Sequence, residues 1–171
     1  MFIVGLRDDL VPVRPTVKLA AQLLSSCMVI FLMDIKLNSL YGLFAIEELP
    51  YLISFFLSLF TLIVITNSYN LIDGLDGLAS SIGIIAFFFF GIYFFLVGQT
   101  YYSMVCFAFI GALIAFLNFN WEPSRIFMGD TGALLIGFAL AFVTIKFIDY
   151  NHYLPEETPF KLNSSVAIGI S

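Results

Sequence analysis

Four oxygen-bearing side chains, Asn67, Asn70, Asp73 and Asp76, recur every third residue in the run TNSYNLIDGLDGLAS, residues 66–80. On a helix that spacing sets them along one face, with successive Cβ atoms about 5–6 Å apart, so two carboxylates could share one cation or one phosphate–metal complex. Such hard oxygen ligands suit Mg²⁺, or Mn²⁺ in its place. Asp73 and Asp76 are the metal candidates here, and Asn67 and Asn70 the candidates for holding substrate. Gly74 and Gly77 leave room for a bulky ligand beside the backbone. A polar turn is the plainer alternative, because Asn, Asp and Gly are turn formers. A turn, however, does not need four such side chains in register.

Two further segments carry similar chemistry. In GLRDDLVPVRPTVKLAAQ, residues 5–22, adjacent Asp8 and Asp9 precede Arg14 and Lys18. Neighbouring residues point in different directions, so one carboxylate is expected to face a site while the other anchors the loop. Lys18, at the start of a helix, offers a cation for phosphate. In NFNWEPSRIFMGDTGALLIGF, residues 118–138, Asp130 stands between Gly129 and Gly132 just ahead of an apolar run. Free N–H groups and the positive end of a helix dipole favour anions there. Asp130 is the third metal candidate, and Arg125 a cation for substrate. The competing role for Asp130 or Thr131 is an N-cap. His152, the only histidine, falls in another loop, and Trp121 reads as an interfacial anchor.

What must position these residues is a membrane-embedded framework. The 171 residues are 61% apolar and 11% charged with mean hydropathy +1.02, whereas a soluble domain is about 25% charged. The formal net charge of −5 leaves no basic stripe for nucleic acid. Cys27 and Cys106 lie in apolar runs and read as small hydrophobes. The fold expected is all-α, a polytopic transmembrane helix bundle of about five complete spans. These run from about Thr16 to Met33, Pro50 to Ile65, Leu78 to Val97, Tyr101 to Leu117 and Ala133 to Ile148. Partial spans are expected at residues 1–6 and from about 162, making residues 1–171 a single transmembrane domain incomplete at both termini. The segment 36–48 reads as an interfacial helix or a strand pair.

Consecutive spans alternate direction, so the loops sort by parity. Loops 7–15, 66–77 and 118–132 fall on one face, and loops 34–49, 98–100 and 149–161 on the other. All three aspartate segments share the first face. Arg7, Arg14, Lys18 and Arg125 mark it, against Lys36, Lys146 and Lys161 opposite, a difference too small to orient the chain by its positive charges. Acidic residues Asp34, Glu47, Glu48, Asp149, Glu156 and Glu157 lie on the second face. Intramembrane carboxylates also mark ion pathways, which makes an ion-coupled transporter the competing class. Carboxylates at helix ends on one face favour an enzyme.

NLIDGLDGLA, RIFMGDTGALLIGF and the RDDL…VKLAAQ region resemble the polyprenyl-phosphate N-acetylhexosamine-1-phosphate transferase family, in family order. The resemblance covers the chain to about residue 140. It implies about ten helices, a bacterial cytoplasmic membrane with the active face toward the cytoplasm, and an enzyme that can form a homodimer. The reaction implied moves a sugar 1-phosphate from a UDP-N-acetylhexosamine to undecaprenyl phosphate, releasing UMP. Asp73, Asp76 and Asp130 would hold metal, Lys18 would meet a substrate phosphate, and Asp8 or Asp9 would orient or deprotonate the attacking group. Direct displacement is ranked ahead of an aspartyl-phosphate route.

FLNFNWEPSRIFMGD resembles the branch that starts O-antigen or teichoic-acid chains from UDP-N-acetylglucosamine. The alternative is the phospho-N-acetylmuramoyl-pentapeptide transferases of cell-wall synthesis. Two departures are visible: Ala133 stands where the third motif usually has Ser, and the family's histidine-rich loop has no counterpart before Ser171. These 171 residues alone are therefore expected to be inactive.

Overall fold

Backbone N–H and C=O groups that enter lipid must be satisfied within their own segment, which makes helix the form an uncharged apolar run takes there. The computed structural model describes residues 1–39, 49–155 and 157–162, and every regular element among them is a helix. In chain order these are α1 (Phe2–Leu10), α2 (Pro15–Met33), α3 (Tyr51–Ile72), α4 (Leu78–Leu96), α5 (Thr100–Asn120) and α6 (Gly129–Tyr153). The five from α2 to α6 are long and apolar enough to cross a membrane, as the all-α polytopic expectation required. The 22 residues of α3 reach about 33 Å, enough for a hydrocarbon core.

Several boundaries differ from the hydropathy reading. α3 continues to Ile72, not Ile65, because Thr66 and Tyr69 are buried and Asn67 is amide-paired inside the protein, so polarity does not break the helix. α6 starts at Gly129, not Ala133, and holds Asp130 in its first turn. α1 runs through Arg7, Asp8 and Asp9, which therefore sit on helix and not in a loop. Residues 40–48 lie outside the described residues, and so does most of the proposed interfacial helix or strand pair. Glu47, Glu48, Glu156 and nearly all of the partial span expected from about 162 also lie outside them.

α6 is the hub: 56% of its most apolar stretch is buried, against 17% for α2. It packs on α3, α1 and α4, while α4 pairs with α5 and α2 lies on α3. Glycine sets the crossing of α6 on α3. A Cβ on Gly137 would stand 2.9 Å from Tyr69 Cβ and 3.0 Å from the Thr66 carbonyl oxygen, so α6 and α3 approach there only through glycine. Phe87 stacks on Phe109 with ring centroids 4.7 Å apart, joining α4 to α5. Phe147 of α6 meets Tyr93 edge-on at 4.6 Å. Cys27 and Cys106 are both free thiols.

The two ends of the bundle have separate polar contacts. At one, Asn38 donates to Asp149 and Gln99 to Tyr150, joining the loops that parity placed together. At the other, the three aspartate segments meet.

Candidate active site

The loop Val11–Arg14 returns the chain from α1 into α2, bringing Asp8 and Lys18 together. Lys18 lies between two carboxylates, pairing with Asp8 Oδ2 and Asp130 Oδ2. Asp8 also accepts the Val13 N–H at 2.6 Å, and Asn70 Nδ2 donates to Asp130 Oδ1 at 2.7 Å. α1, α2, α3 and α6 thus each contribute to one connected chain of charges and amides. Contact with Asp130, then with the Lys18 ammonium and the Val13 N–H, holds the Asp8 carboxyl down at about 2.

Asp9 points elsewhere. It accepts the N–H of Asp130 at 2.8 Å, the N–H of Thr131 at 3.0 Å, and the Thr131 hydroxyl. Burial would raise its carboxyl, but these donors leave it below the ordinary value. The adjacent aspartates thus part, Asp8 toward the charged cluster and Asp9 toward the first turn of α6 and not its own loop. The N-cap position of α6 is Met128, with no side-chain cap bond, so neither Asp130 nor Thr131 fills that role.

The register expected for Asn67, Asn70, Asp73 and Asp76 holds only in part. The helix ends at Ile72 with Asp73 as C-cap, and Gly77 turns the chain at φ +71° into α4, so Asp76 does not share the face of Asn70. Glycine is what allows that left-handed turn. Asp76 takes the Ser124 hydroxyl at 2.8 Å and the Ser124 N–H at 3.1 Å, one on each oxygen. Asn67 exchanges amide hydrogen bonds with buried Gln22 at 2.9 and 3.0 Å, tying α3 to α2. Arg125 is exposed, and among the described residues its guanidinium makes no ion pair. His152 lies on α6 at the other end from Asp130, about 33 Å along the helix.

Among the described residues no cation pairs with Asp73. Burial pushes its carboxyl up; the Gly129 N–H offsets this in part, while the charges of Asp130 and Asp9 add to it, to reach about 6. Among the described residues no three His, Cys, Asp or Glu side chains group closely enough to hold a metal by themselves. Carboxylate oxygens are ligands of the kind Mg²⁺ takes, one or two of them, with water and phosphate oxygens completing its shell. Asp73 and Asp130 are two carboxylates whose charges act on each other there.

Two residues central to the geometry escaped the sequence reading. Gln22 closes the amide pair, and a buried Gln in a span is itself a signal of a helix-to-helix contact. Buried Asn120 accepts the Gly77 N–H at 3.0 Å and donates to the Ile126 carbonyl at 3.0 Å, fastening two of the aspartate loops together.

Residues 1–148 match glycosyl transferase family 4. The chain belongs to that family. Its relatives include the phospho-N-acetylmuramoyl-pentapeptide-transferase of Listeria welshimeri, 47% identical over 87 residues, 51% of this chain and 27% of that protein. The protein of the same name from Clostridium perfringens is 43% identical over 105 residues, 61% of this chain and 30% of that protein. This family 4 chain therefore spans under a third of the length of these curated relatives. Their shared name favours the pentapeptide-transferase alternative over the N-acetylglucosamine branch expected from FLNFNWEPSRIFMGD.

Proposed function

We propose that the whole protein moves a sugar 1-phosphate from a UDP-linked donor to a polyprenyl phosphate, giving a polyprenyl-diphosphate sugar and UMP. One juxtaposition carries this reading. The aspartate end of α3 carries Ile72, the residue before Asp73, in the wall of an apolar groove of about 550 Å³ that Ile65, Ile85, Phe89, Leu140 and Thr144 also line. A ligand with phosphate at one end and a branched hydrocarbon chain at the other matches both surfaces.

The reaction brings an acceptor phosphate against a donor diphosphate, and the chemical problem is repulsion. A phosphate monoester is largely dianionic at neutral pH, with a second pKa near 6, so positioning matters more than a strong base. Lys18 supplies a fixed positive charge, held in direction by Asp8 and Asp130. Asn70 fixes the other oxygen of Asp130. Asp73 and Asp130 would hold Mg²⁺, or Mn²⁺ in its place, which offsets the charge on the phosphoryl oxygens. Asp76 keeps the 122–126 loop in place through Ser124, with exposed Arg125 alongside as a cation for the nucleotide. Direct displacement remains preferred over an aspartyl-phosphate.

The names of the relatives favour a UDP-N-acetylmuramoyl-pentapeptide donor over UDP-N-acetylglucosamine. A bacterial cytoplasmic membrane, with the site facing the cytoplasm where nucleotide sugars are made, follows from the same reading. The test is release of labelled UMP by the purified whole protein. Release should require both polyprenyl phosphate and Mg²⁺, and should be faster with the pentapeptide donor. Ion flux without UMP release would overturn the enzyme reading, and faster turnover of UDP-N-acetylglucosamine would restore the other branch.

A further inference from the structure

Asp8 and Asp9 are sequence neighbours of one chemical type, yet they have different partners. Asp8 meets Lys18 and the Val13 N–H. Among the described residues Asp9 bonds to the first turn of α6, accepting from the N–H groups of Asp130 and Thr131 and from the Thr131 hydroxyl. The first four N–H groups of any helix lack partners within it, and Met128 at the N-cap has no side-chain oxygen to offer them. We propose that Asp9 is a positioning residue, a capping carboxylate lent by α1 that fixes the first turn of α6 and so the direction of Asp130. This rests on Asp130 belonging to the reacting site, as proposed above.

The surrounding residues are shaped for that contact. Gly129 has φ +66°, and a Cβ there would stand 2.9 and 3.0 Å from the two Asp9 oxygens, so a side chain would displace the carboxylate. Four residues before Asp9, on the same face of α1, a Cβ on Gly5 would stand 2.6 Å from Thr131 Cα and 2.8 Å from the Asp130 carbonyl oxygen. α1 therefore presents Gly5 for close approach and Asp9 for bonding, both against residues 129–131. A negative charge at that position also complements the helix dipole. Acting as a base would cost Asp9 the donors it now satisfies, since protonation removes acceptor capacity.

A cap and a proton acceptor respond differently to amide substitution. The whole protein and its Asp9→Asn, Asp9→Ala and Thr131→Val variants would be compared by hydrogen exchange across residues 129–132 and by turnover against pH. With a cap, Asp9→Ala should speed exchange of the Asp130 and Thr131 amides by roughly fivefold to tenfold and lower kcat in parallel. Asp9→Asn, whose amide oxygen still accepts an N–H, should fall between Asp9→Ala and the unaltered protein in both, with the acidic limb of its pH profile unmoved. Thr131→Val should shift exchange in the same direction by less. Asp9→Asn turning over as poorly as Asp9→Ala with native amide protection would overturn the proposal, as would unchanged exchange in Asp9→Ala. Exchange needs no substrate, so the cap is decided even if the unaltered protein releases no UMP, an outcome that would count against the transferase reading instead.

Discussion

Lys18 brings one positive charge to a place where Asp8 and Asp130 bring two negative ones, with Asp73 close behind. Removing the ammonium leaves carboxylates facing each other. Lys18→Met should cost about 1–2 kcal/mol, below the figure for a fully buried pair because all three side chains keep some water. Thermal unfolding of the detergent-solubilised protein measures this. Adding Asp8→Asn to Lys18→Met should restore most of the stability, since it removes the repulsion. It should not restore turnover, which is expected to fall about 100-fold with loss of a charge aimed at phosphate.

Asp73 gives the pH dependence at this scale. Its folded value of about 6 lies above the ordinary carboxylate value, so the fold favours the protonated form. Its contribution to stability is therefore full below about pH 4 and is lost as pH rises through about 6. An infrared band from a protonated carboxyl should titrate with a midpoint near 6 and be missing in Asp73→Asn. Mg²⁺ should move that midpoint down, because a cation and a proton compete for the same oxygens. A midpoint indifferent to Mg²⁺ would remove Asp73 from the proposed ligands.

At the scale of elements, the site depends on how α6 is held against α3 and α1. Gly137→Ala puts a methyl group 2.9 Å from Tyr69 Cβ, and separating the helices there moves Asp130 relative to Asn70. The expected cost is about 1–3 kcal/mol with lower turnover. Gly111 on α5 provides the comparison, because a Cβ there meets nothing within 4 Å, so Gly111→Ala should be neutral or slightly stabilising. Both are read by thermal unfolding and UMP release. The crossing helices themselves were legible in the sequence, since runs such as LASSIGIIAFFFFGIYFFL carry enough hydropathy to declare a span. The end of α3 was not, because hydropathy counts Asn67 and Tyr69 as polar without knowing that Gln22 and the Ala79 carbonyl satisfy them. The gathering of the aspartates followed from counting spans. Their division of labour did not, because the partners of Asp9 lie more than a hundred residues away and are chosen by helix packing, not by spacing.

At the scale of the whole molecule, the proposed transfer has the charged end and the apolar groove serve one ligand. The groove offers little polarity beyond Ser68, Thr144 and Tyr69, and Ala86 is the smallest side chain of α4 in its wall. Ala86→Trp would fill the groove without touching the aspartate cluster. The expected result is a KM for long polyprenyl phosphate raised about tenfold or more, since the large side chain takes the place of several buried methylene groups of the acceptor. The KM for the nucleotide donor should stay the same. A short prenyl phosphate that ends before α4 should be used equally well by the variant and the unaltered protein, because its phosphate still reaches Lys18 and its chain never meets residue 86. Kinetics with acceptors of graded length would therefore show the two proteins parting at the length that first reaches the groove. Equal loss with every acceptor would mean that the groove is not the path of the hydrocarbon chain, and that only the charged end of the site binds the acceptor.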